Sequence, residues 1–284
     1  LESVADYVAG TSGTGEPRPV QIINTPGNKQ IDFRVKFPEP ARNAAQNGQK
    51  IWEPLAESFR ETIGANQATL LFTNSRRLAE KITLQINDQR PEPLAYAHHG
   101  SLARDVRTEV ERRLKAGELK AIVATNSLEM GIDVGALDEV ILVQSPPSVA
   151  ATLQRIGRSG HRVGQVSTGT LFPSHAHDFL EAAVLGDAVD RRDIEPQRLM
   201  RAPLDVLAQI IISICSTDPW PIDDVYELIT RAAPYRTLSR ENFNLVVEML
   251  SGRYAGSRVR ELKARLQHDR INQTIQATRG ALLA

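Results

Sequence analysis

The feature that most constrains the fold is a regular alternation of short apolar runs with amphipathic helical patterns after residue 68. Between the runs, apolar residues recur at helical spacing, as Leu78, Ile82 and Ile86 do after Ser75, a residue type that often caps a helix N-terminus. Short strands that alternate with helices form parallel sheets. We therefore predict an α/β fold with a parallel sheet, and its strands are expected at residues 68–72, 94–97, 121–124, 140–143 and 169–172.

The 284 residues suit one large domain or two smaller ones. The first part, residues 1–40, ends in alternating apolar and polar positions that predict two strands or an extended linker. Residues 41–198 hold the α/β pattern. The strand signal then fades, and helical spacing predicts a mainly helical domain over residues 199–284, in which Ser239 caps one helix.

The composition excludes several classes of protein. The chain has 34 basic and 34 acidic residues, which rules out a strongly basic field over the whole protein but leaves room for a local basic patch. A single cysteine, Cys215, excludes an internal disulfide, and its apolar surroundings predict a core position. No apolar run approaches the roughly 20 residues of a membrane span, and no signal peptide is visible. Because the chain begins with Leu1 instead of methionine, we expect a piece of a longer protein.

Polar loops follow four of the predicted strands. In parallel sheets, ligands bind at the carboxyl ends of the strands, where hydroxyls, amides and backbone N–H groups suit phosphate oxygens. Arg155 and Arg158 are one helical turn apart in the last loop, and paired guanidinium groups are well shaped to hold a phosphoryl group during its transfer. The four loops are residues 73–76, 98–101, 125–133 and 154–161.

These loops carry a resemblance to a known family. QRIGRSG at 154–160 resembles motif VI of superfamily 2 helicases, ATNSLEMGID at 124–133 resembles motif V, and LLFTNSR at 70–76 resembles motif IV. HHGS at 98–101 resembles the short motif that follows motif IV. Each match alone is weak, but four in the right order are specific. The Lhr (large helicase-related) family is the finer match, through GHRVG at 160–164 and the winged-helix-like PYRTLSRENFNLVVEMLSGRY at 234–254.

The resemblance implies a domain plan and a function. Residues 41–198 would be the second RecA-like motor domain, 199–284 an incomplete winged helix, and 1–40 the tail of a first motor domain with linker strands. The implied activity is that of an ATP-dependent DNA helicase that moves 3′ to 5′ on single-stranded DNA in a bacterial cytoplasm. ATP and Mg²⁺ would be bound mainly by the first motor domain. The implied partners are single-stranded or partly duplex DNA and that upstream domain of the same chain, with no membrane.

The resemblance also implies roles for individual residues. Arg158 would be the arginine finger on the γ-phosphate of ATP, with Arg155 beside it as the second catalytic residue. Gly131, Asp133 and Gln154 would line the nucleotide cleft. The residues implied to contact the nucleic-acid backbone are Thr73, Asn74, Ser75, Arg76, His99, Gly100, Ser101, Thr125 and Ser127.

Simpler interpretations exist for several of these residues. Both arginines suit a solvated helix face, and Asp133, Thr73, Ser75 and Ser101 suit helix N-caps, a role that leaves a phosphate contact possible. Glu129 is expected to be exposed or paired with one of the arginines. The paired histidines at 98–99 and 175–177 invite a metal, but they lack a third ligand at a convincing spacing, so we predict no metal site. The basic run at 253–270 suits either a solvated helix or a nucleic-acid-facing surface.

The chain lacks the sequence motifs that bind ATP phosphates and Mg²⁺. No GxxxxGK[ST] loop occurs, because Glu16 stands where the lysine of the glycine-spaced segment 10–16 is required. Asp138 and Glu139 precede a predicted strand, so they are expected at the edge of the sheet opposite the ligands. We expect no ATP turnover by this chain alone. Two alternatives remain: another superfamily 2 enzyme, such as a DEAD-box-like RNA helicase, or a non-enzymatic nucleic-acid-binding module.

Overall fold

The computed structural model describes residues 1–13, 15–23, 29–129, 135–160, 164–196, 199–253, 263–279 and 281. The chain divides into two compact units. Residues 27–196 form one, here called the sheet unit, and residues 1–26 with 197–284 form the other, here called the helical unit. Among the described residues, no helix has the length and apolar character that crossing a membrane requires.

The secondary structure follows the alternation seen in the sequence. The strands in chain order are β1 (Ile31–Val35), β2 (Thr69–Thr73), β3 (Ala95–His98), β4 (Ala121–Ala124), β5 (Glu139–Val143), β6 (Ser167–Phe172), β7 (Trp220–Pro221), β8 (Leu266–Asp269) and β9 (Thr274–Ala277). The α-helices are α1 (Glu2–Ala9), α2 (Glu39–Gln46), α3 (Trp52–Ala65), α4 (Arg76–Asn87), α5 (Arg104–Lys115), α6 (Val149–Ile156), α7 (Ala176–Arg191), α8 (Leu204–Ile214), α9 (Ile222–Thr230) and α10 (Arg240–Leu250). Short 3-10 helices lie at Asn126–Leu128 and Ala233–Tyr235.

The sheet unit is built on a six-stranded sheet with the order β1-β6-β5-β2-β4-β3. Every neighbouring pair of strands is parallel, which confirms the predicted α/β fold. Successive residues of the central strand β2 face opposite sides: Leu70 and Phe72 belong to one core cluster and Leu71 to the other. Both sides of the sheet are covered, and for this reason β2 is apolar without alternation.

Each face of the sheet packs against its own helices. On the side of Leu70 and Phe72, the core includes Val110 and Leu114 of α5 and Ile156 of α6. The opposite core joins side chains of α3 and α4 to the sheet, and its members include Leu55, Phe59, Ile63, Ile82, Ile86, Val123 and Phe172. The rings of Phe59 and Phe172 meet edge to face with centroids 5.0 Å apart. Helices therefore cover both faces of the sheet, and the carboxyl ends of its parallel central strands lie together at one edge.

One of the two strands predicted before residue 40 is confirmed and the other is not. The alternating residues from Ile31 form β1, which pairs with β6 from Ile31 to Val35. Ile31 and Phe33 pack against the core, while residues 18–23 form no strand. β1 pairs with the side of β6 that faces away from β5, so it forms one edge of the sheet. The sheet unit therefore begins at residue 27, before the predicted boundary at residue 41.

The helix caps agree with the sequence at two residues and differ at two. Thr73 is not a cap, because it is the last residue of β2 and α4 is capped by Ser75. Ser75 accepts a hydrogen bond from the Leu78 amide at the start of α4, and Ser239 accepts one from Asn242 at the start of α10, as predicted. The prediction that Ser101 caps a helix is wrong, because α5 begins at Arg104 after Ala103, which gives no side-chain cap. Ser101 Oγ instead accepts a hydrogen bond from Arg76 Nη1 at 2.5 Å.

In the helical unit, α8, β7, α9, α10, β8 and β9 follow one another, and the strands form an antiparallel sheet with the order β7-β9-β8. This helix and strand order agrees with the winged helix that the resemblance implies. Cys215 is fully buried in the core of this unit, as predicted, and burial raises the pKa of its thiol to about 11. Residues 254–262 of the basic run lie outside the described residues.

A pair of glycine substitutions tests how α6 packs on the sheet. A Cβ at Gly169 in β6 would lie 2.6 Å from Cγ1 of Ile156, so Gly169→Ala is expected to lower the free energy of unfolding by about 1–3 kcal/mol. Gly64→Ala is the matched control, because its Cβ would meet nothing within 4 Å in the last turn of α3. The control is expected to stabilise by about 0.5 kcal/mol in urea unfolding. Equal effects of the two changes would contradict the packing.

Candidate functional site

A cleft of about 740 Å³ opens at the carboxyl edge of the central strands of the sheet unit. This feature is called the strand-edge cleft below. It is lined by Thr73, Asn74, Ser75, Arg76, Thr125, Asn126, Glu129, Ser145, Pro147 and Arg155. The lining includes five residues predicted to contact nucleic acid, from the stretch between the end of β2 and the start of α4 and from the loop after β4, and one predicted catalytic arginine from α6.

The loops meet because the strands are parallel and in register. β2 lies between β4 and β5, so the chain leaves all three strands at the same edge. Thr73, the last residue of β2, places its hydroxyl oxygen 3.1 Å from the Ser75 carbonyl oxygen and 3.4 Å from that of Ala124. Asn74 Nδ2 donates a hydrogen bond to the Ser145 carbonyl at 2.7 Å. The polar side chains at the cleft are thus bonded to neighbouring loops, which fixes their positions.

Arg155 joins three of the predicted motifs. Its side chain is buried, with Arg155 only 4% exposed. Its Nε donates to Glu129 Oε1 at 2.8 Å, and its Nη1 donates to Asn74 Oδ1 at 3.2 Å. The guanidinium lies over the ring of Phe72, 5.3 Å from its centroid. The solvated-face interpretation is therefore wrong for Arg155, which ties α6 to the loops after β2 and β4.

Glu129 positions both arginines of the motif VI-like segment. Its carboxylate pairs with Arg155, and its side chain is 17% exposed, so the alternative of pairing with an arginine is confirmed and that of exposure is wrong. Its backbone carbonyl accepts hydrogen bonds from Nε of Arg158 at 3.1 Å and from Nη2 at 2.6 Å. Arg158 follows the end of α6 and is half-buried. The loop after β4 consequently sets the orientation of both guanidinium groups.

Two histidines at the end of β3 contact carboxylates of the neighbouring helices α5 and α4. His98 is buried, with Nδ1 2.8 Å from Ser127 Oγ and Nε2 2.8 Å from Glu111 Oε1 of α5. His99 Nε2 lies 2.6 Å from Glu80 Oε1 of α4. Burial lowers the pKa of His98, although the hydrogen bond that its ring donates to Glu111 opposes this shift. The predicted contact residue Ser127 is thus engaged with His98, a residue that the sequence did not single out for this role.

The remaining predicted residues have varied positions. Ser101 bonds to Arg76, which connects the HHGS loop to α4, and Gly100 lies next to the Arg76 guanidinium. Gln154 is exposed on α6. Gly131 and Asp133, predicted to line the nucleotide cleft, lie outside the described residues.

Asp138 and Asp178 are acidic residues with structural partners. Asp138 Oδ2 accepts hydrogen bonds from the amides of Gln67 and Ala68 at the amino end of β2, which confirms its predicted place opposite the cleft. Asp178 is not among the residues that the sequence predicts for the site. It is buried in the first turn of α7 and accepts from the amide and the hydroxyl of Ser145, at 2.8 and 2.6 Å. Its place in a first helical turn is a signal for capping, but its partner across the chain is not readable from sequence.

Two domain families match the chain. The helicase conserved C-terminal domain matches residues 53–163, and the winged helix domain of large helicase-related protein matches residues 187–283.

Longer proteins match nearly the whole chain. It is 37% identical to the Lhr helicase/probable uracil glycosylase of Mycolicibacterium smegmatis, over 99% of this chain and 20% of that protein. It is also 37% identical to the ATP-dependent helicase Lhr-Core protein 2 of Thermococcus barophilus, over 95% of this chain and 31% of that protein. A solved structure of Mycobacterium smegmatis helicase Lhr bound to ssDNA and AMP-PNP superposes with a TM-score of 0.83 at 40% identity, covering 99% of this chain and 36% of that one. The chain thus spans about a fifth to a third of these relatives.

The buried histidine predicts a pH dependence of stability. Because the pKa of His98 is lower in the folded chain than in the unfolded chain, the unfolded state binds more protons below about pH 6.5. Stability is therefore expected to fall as the pH drops through about 6.5 toward the lower pKa that His98 has in the folded chain, and to fall less in His98→Gln. Glu111→Gln removes a group that raises the pKa of His98, so the stability of this variant should go on falling at pH values where that of the unmodified chain no longer changes. Urea unfolding across this range measures all three proteins, and parallel curves would refute the assignment.

Proposed function

The chain belongs to the Lhr (large helicase-related) family, and we propose that it supplies the second motor domain and the winged helix of an ATP-dependent DNA helicase. The observation that carries this proposal is the placement of Arg155 and Arg158 by one residue, Glu129, beside the strand-edge cleft. The cleft beside Arg155 suits nucleic acid, and the guanidinium of Arg158 suits a nucleotide. A residue that contacts both arginines links the two sites.

The nucleic-acid partner of the cleft is single-stranded or partly duplex DNA. Hydroxyl, amide and guanidinium groups from Thr73, Asn74, Arg76 and Thr125 line it, and such groups bind backbone phosphates without reading sequence. This suits a motor that must move along any sequence. The ssDNA in the solved mycobacterial Lhr structure supports the choice of DNA, and the family resemblance supports 3′ to 5′ movement in the cytoplasm.

The nucleotide side of the proposal depends on Arg158. Its guanidinium is a planar cationic donor held beyond the end of α6, and this chemistry fits a phosphate group. ATP bound with Mg²⁺ would supply the phosphoryl group, and Arg158 would stabilise the negative charge that develops on it. Since the chain has no GxxxxGK[ST] loop, we assign most of the ATP and Mg²⁺ contacts to an upstream motor domain of the same polypeptide. The greater length of the relatives supports this assignment.

The first experiment compares this chain with the protein extended upstream to include the first motor domain. We expect DNA-stimulated ATP hydrolysis by the extended protein and none by the 284-residue chain. Stronger stimulation by RNA than by DNA would favour a different superfamily 2 helicase. If neither protein hydrolyses ATP and the short chain binds DNA with a steep salt dependence, the chain is a binding module and the motor proposal is wrong.

Substitution of Arg158 tests the arginine-finger role. In the extended protein, Arg158→Ala is expected to lower ATP turnover by about 10³-fold to 10⁵-fold, because charge in the transition state loses its partner. Binding of single-stranded DNA, measured by fluorescence anisotropy, should change little. Arg158→Lys should not restore turnover, since lysine lacks the planar fork of donors.

Arg191→Ala is the matched control for Arg158, because this exposed arginine on α7 pairs only with Asp187 among the ion pairs of the described residues. Its turnover should equal that of the unmodified protein. Turnover that survives in Arg158→Ala would show that the finger is another residue.

A further inference from the structure

Helix α6, which carries Arg155, has a carboxylate at its N-terminus from outside the helix. The amides of Val149 and Ala150 donate to Glu195 Oε1 at 2.6 Å and Oε2 at 3.2 Å. The first amides of a helix have no partner within the helix, and the positive end of the helix dipole favours an anion. The hydrogen bond from Val149 leads the causes that lower the pKa of Glu195, so this carboxyl is ionised at neutral pH.

The other end of α6 is held by a cation. Lys29 Nζ donates to the carbonyl oxygen of Gly157, the residue after the last turn, at 3.2 Å. A positive charge at this end complements the negative pole of the helix dipole. Opposite charges therefore hold the two ends of one short helix, each at the end that its sign favours.

Both of these residues lie where the chain connects the two units. The connections fall at 26–27 and 196–197, close in sequence to Lys29 and Glu195. Arg192 Nη2 donates to the Lys29 carbonyl at 3.2 Å, which ties the two connecting segments to each other. Within the sheet unit, one residue of each connecting segment, Lys29 or Glu195, thus contacts an end of α6, the helix that precedes Arg158.

We propose that Glu195 and Lys29 are positioning residues that couple the two connecting segments to Arg158 through α6. The helix is eight residues long and Arg158 lies two residues beyond its end, so a shift of the helix would move the Arg158 backbone relative to the Glu129 carbonyl that holds its guanidinium. The inference rests on the proposed function of Arg158. Neither Glu195 nor Lys29 lines the strand-edge cleft, so their effect on catalysis is indirect.

The test uses the extended protein with the first motor domain. Glu195→Gln and Lys29→Gln are each expected to lower the kcat of DNA-stimulated ATP hydrolysis by about 10-fold, since small misplacements of a catalytic group cost up to about 100-fold. The KM for ATP should stay within about 2-fold, because the loss occurs in the transition state. Glu181→Gln is the matched control, because this exposed glutamate lies on α7 beside His177. Its kcat should not change.

A charge exchange separates this coupling from a simple ion pair. In the double variant Glu195→Lys/Lys29→Glu, each new charge faces the helix pole of its own sign, so the kcat should remain low. Recovery in the double variant would mean that the two residues act only on each other. Amide hydrogen exchange in α6 gives a second readout, which should be faster in Glu195→Gln and unchanged in Glu181→Gln.

The outcomes distinguish the two proposals. If the unmodified extended protein shows no DNA-stimulated turnover, the proposed function fails, and the role of α6 in it fails too. If that protein is active and Glu195→Gln and Lys29→Gln keep its kcat, only the present inference is overturned. A reduced kcat with unchanged KM and faster exchange in α6 supports the coupling.

Discussion

The strand-edge cleft depends on the buried ion pair between Arg155 and Glu129. A charged group inside a protein is costly unless its hydrogen bonds and charge are satisfied, and Arg155 meets this condition with Glu129, Asn74 and the ring of Phe72. These partners come from β2 and from the loops after β2 and β4, while Arg155 comes from α6. Three segments that are far apart in sequence are thereby held in one arrangement, and the second arginine, Arg158, is oriented through the backbone of Glu129.

The same arrangement fixes the side chains of the cleft. Thr73, Asn74 and Ser127 are already bonded to neighbouring loops, so little side-chain freedom remains to be lost when a ligand enters. Two acidic residues stabilise the neighbouring segments: Glu111 forms a hydrogen bond with His98, and Asp178 accepts one from Ser145 in the loop after β5. Under the proposed function, side chains fixed in this way would meet the phosphates of a nucleic-acid backbone at set positions.

Short-range patterns in the sequence predicted the architecture well. The strand positions, the cap at Ser75 and the meeting of loops at one edge follow from apolar spacing and from parallel pairing, which are local rules. The pairing of β1 with β6, the partner of Ser101 and the role of Glu129 in holding both arginines depend on residues distant along the chain. No spacing rule encodes such contacts. The roles of Gly131 and Asp133 stay predictions, since these residues lie outside the described part of the chain.

A double-mutant cycle on Arg155 and Glu129 tests the central claim most directly. Arg155→Met leaves the Glu129 carboxylate without its partner and is expected to lower the free energy of unfolding by about 3 kcal/mol. The double variant Arg155→Met/Glu129→Met removes both charges, so it should recover most of that loss in urea unfolding. Additive effects of the two substitutions would show that the ion pair does not hold the cleft together.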